Sequence, residues 1–156
     1  MSDYLIAEAG IRRLHARYAD AVFRKDYVSF AECFTPDAQW LIVGRTLHGP
    51  GEIVAFLEAR MARFHWVLMT FGTPLLELGQ NSATGRTYVT EQSAAKDGQH
   101  TSSVATYYER FHEQNGEWKR SWAMFQLHYL GPADLSGTFF PQTDYGPPPA
   151  MPPVSQ

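Results

Sequence analysis

Glu91, Tyr18 and His65 are the three side chains of this sequence whose type and surroundings suit proton transfer. Glu91 shares its parity with Ala83, Gly85, Thr87 and Val89, a small and apolar set. Successive strand residues point to opposite faces, so that set marks an inward face and carries the carboxyl with it. A carboxyl so placed has a raised pKa and can act as a base, unless a bulge turns it to solvent. Tyr18 stands on an apolar stripe of helical spacing, where a phenol is either a hydrogen-bond donor and acid or a core aromatic. His65 falls where a helical pattern gives way to a strand, beside Trp66, and reads as a base at a cavity rim or as a structural helix-end histidine. His128, one residue before Tyr129, could reach the same rim.

The walls for such chemistry are available. Aromatic residues make up 14% of the chain, enough for a tight core or for an apolar ligand cavity. Phe23, Trp40, Phe71, Trp122 and Phe125 are the candidate lining, with plain core as the competing reading. Asp26 reads as a helix cap and Cys33 as a buried small hydrophobe.

Other chemistries find no support. The six histidines are scattered without a His-x-His or His-x3-His pair, which leaves no metal site. No Gly-rich phosphate loop and no Gly-x-Ser-x-Gly elbow occur, so no cofactor is expected. A single cysteine excludes an internal disulfide. The net charge is −3 and no basic run is present, which argues against a nucleic-acid partner. The amino terminus lacks a basic start and a long apolar stretch, and the runs Trp40-Leu41-Ile42-Val43 and Trp66-Val67-Leu68-Met69 are too short to span a bilayer. A cytoplasmic protein that does not contact membrane is the expectation.

The elements that must position these groups follow from periodicity. Ile11, Leu14, Tyr18, Ala21 and Val22 predict an amphipathic helix from Ser2 to about Arg24. Asp26 caps a second, short helix carrying Val28, Phe30, Ala31 and Phe34, with Pro36 ending it. Ala38 to Val43 and Arg45 to His48 form a small hairpin, and Glu52 to Phe64 a third helix. Four β-rich stretches follow: Trp66 to Leu78, Ala83 to Ala95, Thr101 to His112 and Trp118 to Leu130. Asp97-Gly98 and Asn115-Gly116 turn two of the connections, the signature of an antiparallel meander. Helices first and strands last is an α+β layout. Seven of the ten prolines lie from Pro132 onward, where no regular structure is expected.

Particular words in this order resemble the nuclear-transport-factor-2-like superfamily and its SnoaL-like branch. They are Ile11-x2-Leu14-x3-Tyr18, Phe34-Thr-Pro-Asp37-Ala38-x-Trp40, Gly49-Pro50-x2-Ile53, Gly72-Thr73-Pro74 to Ala83-Thr84-Gly85-Arg86, and Tyr107-Tyr108-Glu109-Arg110 to Asn115-Gly116-Glu-Trp118-Lys119. The resemblance covers residues 4 to 130. It implies a cystatin-like cone, a curved antiparallel sheet wrapped around three helices. The flavour is that of bile acid 7α-dehydratases, scytalone dehydratases and hexachlorocyclohexane dehydrochlorinases, which run acid and base chemistry without a cofactor on hydrophobic rings. Tyr18 matches a tyrosine that several of these enzymes point into the cavity. Members of that group commonly use an Asp near the end of helix one and a His in the strand after helix three. Phe23 and Met69 stand at those positions here, so the dyad is replaced by apolar residues and Met69 joins the candidate lining.

The expectations are therefore a cone over residues 1–130 and an arm over 131–156. The arm's Phe139, Phe140 and Tyr145 would close a cone, with 147–156 mobile. The expected activity is a lyase, dehydratase or isomerase acting on a hydrophobic, aromatic or polycyclic small molecule. The alternative is a binding protein or assembly subunit of the same fold. Aromatics on both faces of the later strands predict a homo-oligomer, a trimer before a dimer by the resemblance.

Overall fold

A computed structural model describes residues 2–146. Helix α1 (Asp3–Arg24) buries Ile11, Leu14, His15, Tyr18, Ala21 and Val22, one stripe at three- and four-residue spacing. The Ser2 hydroxyl accepts from the Leu5 N–H at 3.4 Å, and Lys25, at φ 57°, ends the helix. Helix α2 (Tyr27–Ala31) is capped by Asp26, whose carboxylate accepts from the Ser29 N–H at 3.1 Å. It is shorter than the sequence suggests. Phe34 and Pro36 belong to strand β1 (Phe34–Ile42), because Arg120 N–H donates to the Cys33 carbonyl and draws the chain into the sheet. Pro36 lies in the register shift between Phe34 and Gln39, where its missing donor costs no ladder bond.

Strand β2 (Arg45–His48) follows a turn in which Val43 and Gly44 both have positive φ. Helix α3 (Gly49–Met61) starts at the Gly-Pro pair, three residues before the expected Glu52. Proline suits the first turn, and the Glu52 carboxylate accepts the His48 N–H at 2.8 Å. The expected Trp66 to Leu78 stretch is two strands, β3 (Phe64–Phe71) and β4 (Leu75–Gly79), interrupted at Gly72-Thr73-Pro74. Both pair with β5 (Ser82–Ala95), which continues into β6 (His100–Gln114), β7 (Glu117–Gly131) and the short β8 (Thr138–Phe139).

The sheet order is β2-β1-β7-β6-β5-β3, with β4 on β5 and β8 on β7. Strand β1 runs parallel to β7, so the curved sheet is mixed rather than a pure antiparallel meander, and it stays open. Its concave face holds α1 against β3 and β7 and α3 against β1, and the hydrophobic core lies between these layers. No described helix is long and apolar enough to cross a membrane. The expectation for residues 147–156 lies outside the described residues.

Candidate active site

Strand register puts the inward residues in rows. Met69, Glu91, Ser103 and Leu130 oppose one another across β3, β5, β6 and β7. The next rows are Phe71, Val89, Ala105 and Leu127, then Thr87, Tyr107 and Phe125, then Gly85, Glu109 and Ala123. Side chains of α1 fill the lower rows. The upper rows stay open and surround a cavity of about 810 Å³. Its floor and walls include Val67, Phe125 and Leu127, and its polar groups include Glu91, Ser93, Thr101 and Ser103.

Glu91 faces this cavity. Strand β5 pairs with β6 without a register shift, so the parity of Ala83 to Glu91 runs unbroken and no bulge rotates the carboxyl outward. The group is partly buried and accepts from the Ser103 hydroxyl at 3.4 Å. Burial pushes its pKa up, against the opposing pull of Arg60 and the Ser103 hydrogen bond. Beside it the hydroxyls of Ser93 and Thr101 bond at 2.7 Å.

The arm forms part of the wall. Strand β1 pairs with β7 only as far as Leu41 opposite Met124. Beyond that point the arm takes the vacant edge: Gln126 exchanges two hydrogen bonds with the backbone of Thr143, and Phe140 N–H donates to the His128 carbonyl at 2.9 Å. The Tyr145 hydroxyl accepts from Gly44 N–H at 3.0 Å, tying the arm to the β1–β2 turn. Phe140 and Tyr145 line the cavity, whereas Phe139 is 67% exposed and packs on Tyr129.

The other expected site residues are not gathered there. Tyr18 is fully buried beneath the cavity, its hydroxyl 3.2 Å from that of Tyr107. Burial raises its pKa to about 12, with Arg120 acting the other way. His65 is exposed on the outer face, in a groove with Trp66 and His100. It has the parity of Val67 and Met69, but the register shift between Phe64 and Trp66 bulges the strand and turns it out. His128 sits at a second such shift and bonds the Thr106 hydroxyl at 2.6 Å. Of the candidate lining only Phe125 borders the cavity. Phe23 is off the buried stripe of α1 and packs against Trp66 outside; Trp40 is core against Phe56. Met69 is core beside Glu91, and Phe71 stacks on the His15 ring with centroids 4.4 Å apart. Trp122 faces outward, with the Arg110 guanidinium over its ring.

A buried polar cluster that local spacing does not reveal lies under the cavity. Glu109, wholly inaccessible, is bonded by Arg120, by the Thr87 hydroxyl at 2.9 Å and by His15 Nε2 at 3.1 Å. Burial alone would raise its pKa, but His15 and Arg120 overcome that and hold it at about 2. The Arg120 guanidinium lies 4.5 Å from the Tyr18 ring centroid and 4.6 Å from that of Tyr107. Glu109 was detectable as a charge within the inward alternation of Ala105, Tyr107 and Phe111.

Comparisons with known proteins agree with this architecture. No curated protein matches the sequence. Among solved structures, hexachlorocyclohexane dehydrochlorinase LinA-type3 from Novosphingobium barchaimii LL02 superposes with a TM-score of 0.75 at 22% identity, covering 90% of this chain and 98% of that one. A candidate scytalone dehydratase from Novosphingobium aromaticivorans gives 0.76 at 15% identity, covering 96% and 94%. A cystatin-like-fold protein of unknown function from Nostoc punctiforme gives 0.67 at 17% identity, covering 76% and 89%. The SnoaL-like domain family matches residues 3–121, and the chain belongs to that family.

Proposed function

We propose that the protein catalyses a cofactor-independent proton transfer, as a lyase or isomerase, on a hydrophobic small molecule bound in the cavity, with Glu91 as the base. The observation that carries this reading is an inward carboxyl, its proton affinity raised by burial, on the wall of an open cavity whose apolar side includes Val67, Phe125 and Leu127. Glu91 lies directly across from Met69, where members of the group this sequence resembles commonly carry their histidine. The base has moved one strand over.

In the step, the Glu91 carboxylate takes a proton from a carbon next to a carbonyl. The C–H electron pair passes to the carbonyl oxygen, and a hydroxyl of the Ser93, Thr101 and Ser103 group donates to that oxygen. Returning the proton to another carbon completes an isomerisation. Giving it to a departing β-hydroxyl releases water. The dehydrochlorinase and the candidate dehydratase named above are, by name, enzymes of elimination, which supports the class of reaction and not the substrate.

The direct test is exchange of the α-protons of β-tetralone in deuterium oxide, followed by proton NMR. Wild type should accelerate the exchange, and Glu91→Gln should lose about 10²-fold or more of that acceleration. The apolar residues at positions 23 and 69 favour a second reading, a binding protein without chemistry. β-Tetralone bound but not exchanged would establish that reading instead.

A further inference from the structure

Three cations stand at the mouth of the cavity. Arg60 belongs to the last turn of α3, Arg63 follows it, and Lys96 follows β5. The Lys96 N–H donates to the Arg63 carbonyl at 3.0 Å, which holds these two residues side by side. All three line the opening with exposed side chains. None makes an ion pair among the described residues. The other charged residue at the rim is Asp97, whose carboxylate caps the Gln99 N–H at 2.9 Å. In a chain of net charge −3, such a concentration of unpaired positive charge at one opening is a local reversal.

We propose that the mouth selects an amphipathic organic anion, its ring body against Phe125 and Leu127 and its carboxylate held at the rim by Arg60, Arg63 and Lys96. The proposal rests on the cavity being a ligand site, as argued above, and adds the substrate class. Cations around an apolar opening focus the field and raise the local concentration of anions. Two guanidiniums offer the planar donor forks that match a carboxylate. With its anionic end neutralised by these cations, the ligand can lay its apolar body against Phe125 and Leu127, on the cavity wall that also carries Glu91.

The test uses the whole protein and two ring ligands of nearly equal size, naphthoate and its neutral counterpart acetylnaphthalene. Binding is read by calorimetry at low and high salt. Wild type should bind naphthoate at least about tenfold more tightly at low salt, and high salt should shrink that preference. In the triple variant Arg60→Gln, Arg63→Gln, Lys96→Gln the preference should fall within about threefold while acetylnaphthalene affinity stays unchanged. These side chains are exposed, and an unchanged melting temperature verifies folding of the variant. Equal affinity for the two ligands in wild type, or a preference that survives the triple substitution, overturns the anion proposal and leaves the cavity as a ligand site. Binding of neither ligand overturns both.

Discussion

Replacing Glu109 by Gln should lower the melting temperature sharply while leaving the shape of the core intact. Gln matches Glu in volume, so no cavity opens, and the loss is electrostatic. Arg120 is 2% exposed and would keep its charge with no counter-ion. Removing one partner of a buried pair costs about 3 to 5 kcal/mol. The proton affinity gives a similar figure: a carboxyl held at about 2 against an ordinary 4.5 contributes about 3 kcal/mol at neutral pH. For a domain of this size that is a fall of roughly 10 °C. The pH dependence has a definite sign. A depressed folded-state value gives stability that is complete above the ordinary 4.5 and lost as pH falls toward 2. The gap between wild type and variant should therefore be full at neutral pH and narrow in acid. Thermal unfolding followed by circular dichroism at neutral pH and near the bottom of that window measures both. Adding Arg120→Met to the variant should recover much of the loss, because an apolar replacement of both charges is often neutral. A variant melting within about 2 °C of wild type at neutral pH, or a gap that does not change with pH, would refute the reasoning.

Four further outcomes follow from the same geometry. Glu91→Gln should match wild type in stability near pH 4 and exceed it at neutral pH, since a raised carboxyl pKa means stability lost as pH rises through it; differential scanning fluorimetry at the two pH values reads the order. Truncation after Leu130 uncovers Tyr129 and Gln126, 2% and 3% exposed in the whole chain, and should cost about 2 kcal/mol, or about 6 °C, with loss of ligand affinity. Tyr145→Phe should cost no more than about 0.5 kcal/mol, because the exposed Gly44 N–H takes water in place of the lost hydroxyl, as measured by urea unfolding. Phe23, Trp66, Leu68 and Tyr88 are exposed on the outside, so sedimentation should return a multiple of 17.7 kDa; a mass near 18 kDa at micromolar concentration would remove the oligomer.

Glu91 was legible in the sequence because the residues that reveal its direction precede it on one strand with regular pairing. His65 was not, since its parity points inward and only the pairing shift beside it, a property of two strands, turns it out. Arg120 is the same case: a shift between Arg110 and Phe111 changes the phase of β7 and brings inward a residue whose parity opposes that of Ala123 and Phe125. His15 stood on the buried stripe of α1, but its partner Glu109 lies 94 residues away, beyond the reach of local spacing. The parallel pairing of β1 with β7 is long-range in the same sense. Periodicity and turn chemistry report what neighbours in sequence do, so they recovered the helices and hairpins and missed the buried cluster.

A ligand in the cavity should present its acidic carbon to Glu91. A crystal structure with β-tetralone bound measures that distance directly. The ring should lie between Phe125, Leu127 and the arm, with the carbon next to the carbonyl within about 3.5 Å of the Glu91 carboxyl. Ring density in the outer groove beside His65 and Trp66, with the cavity empty or filled by collapsed side chains, would contradict it.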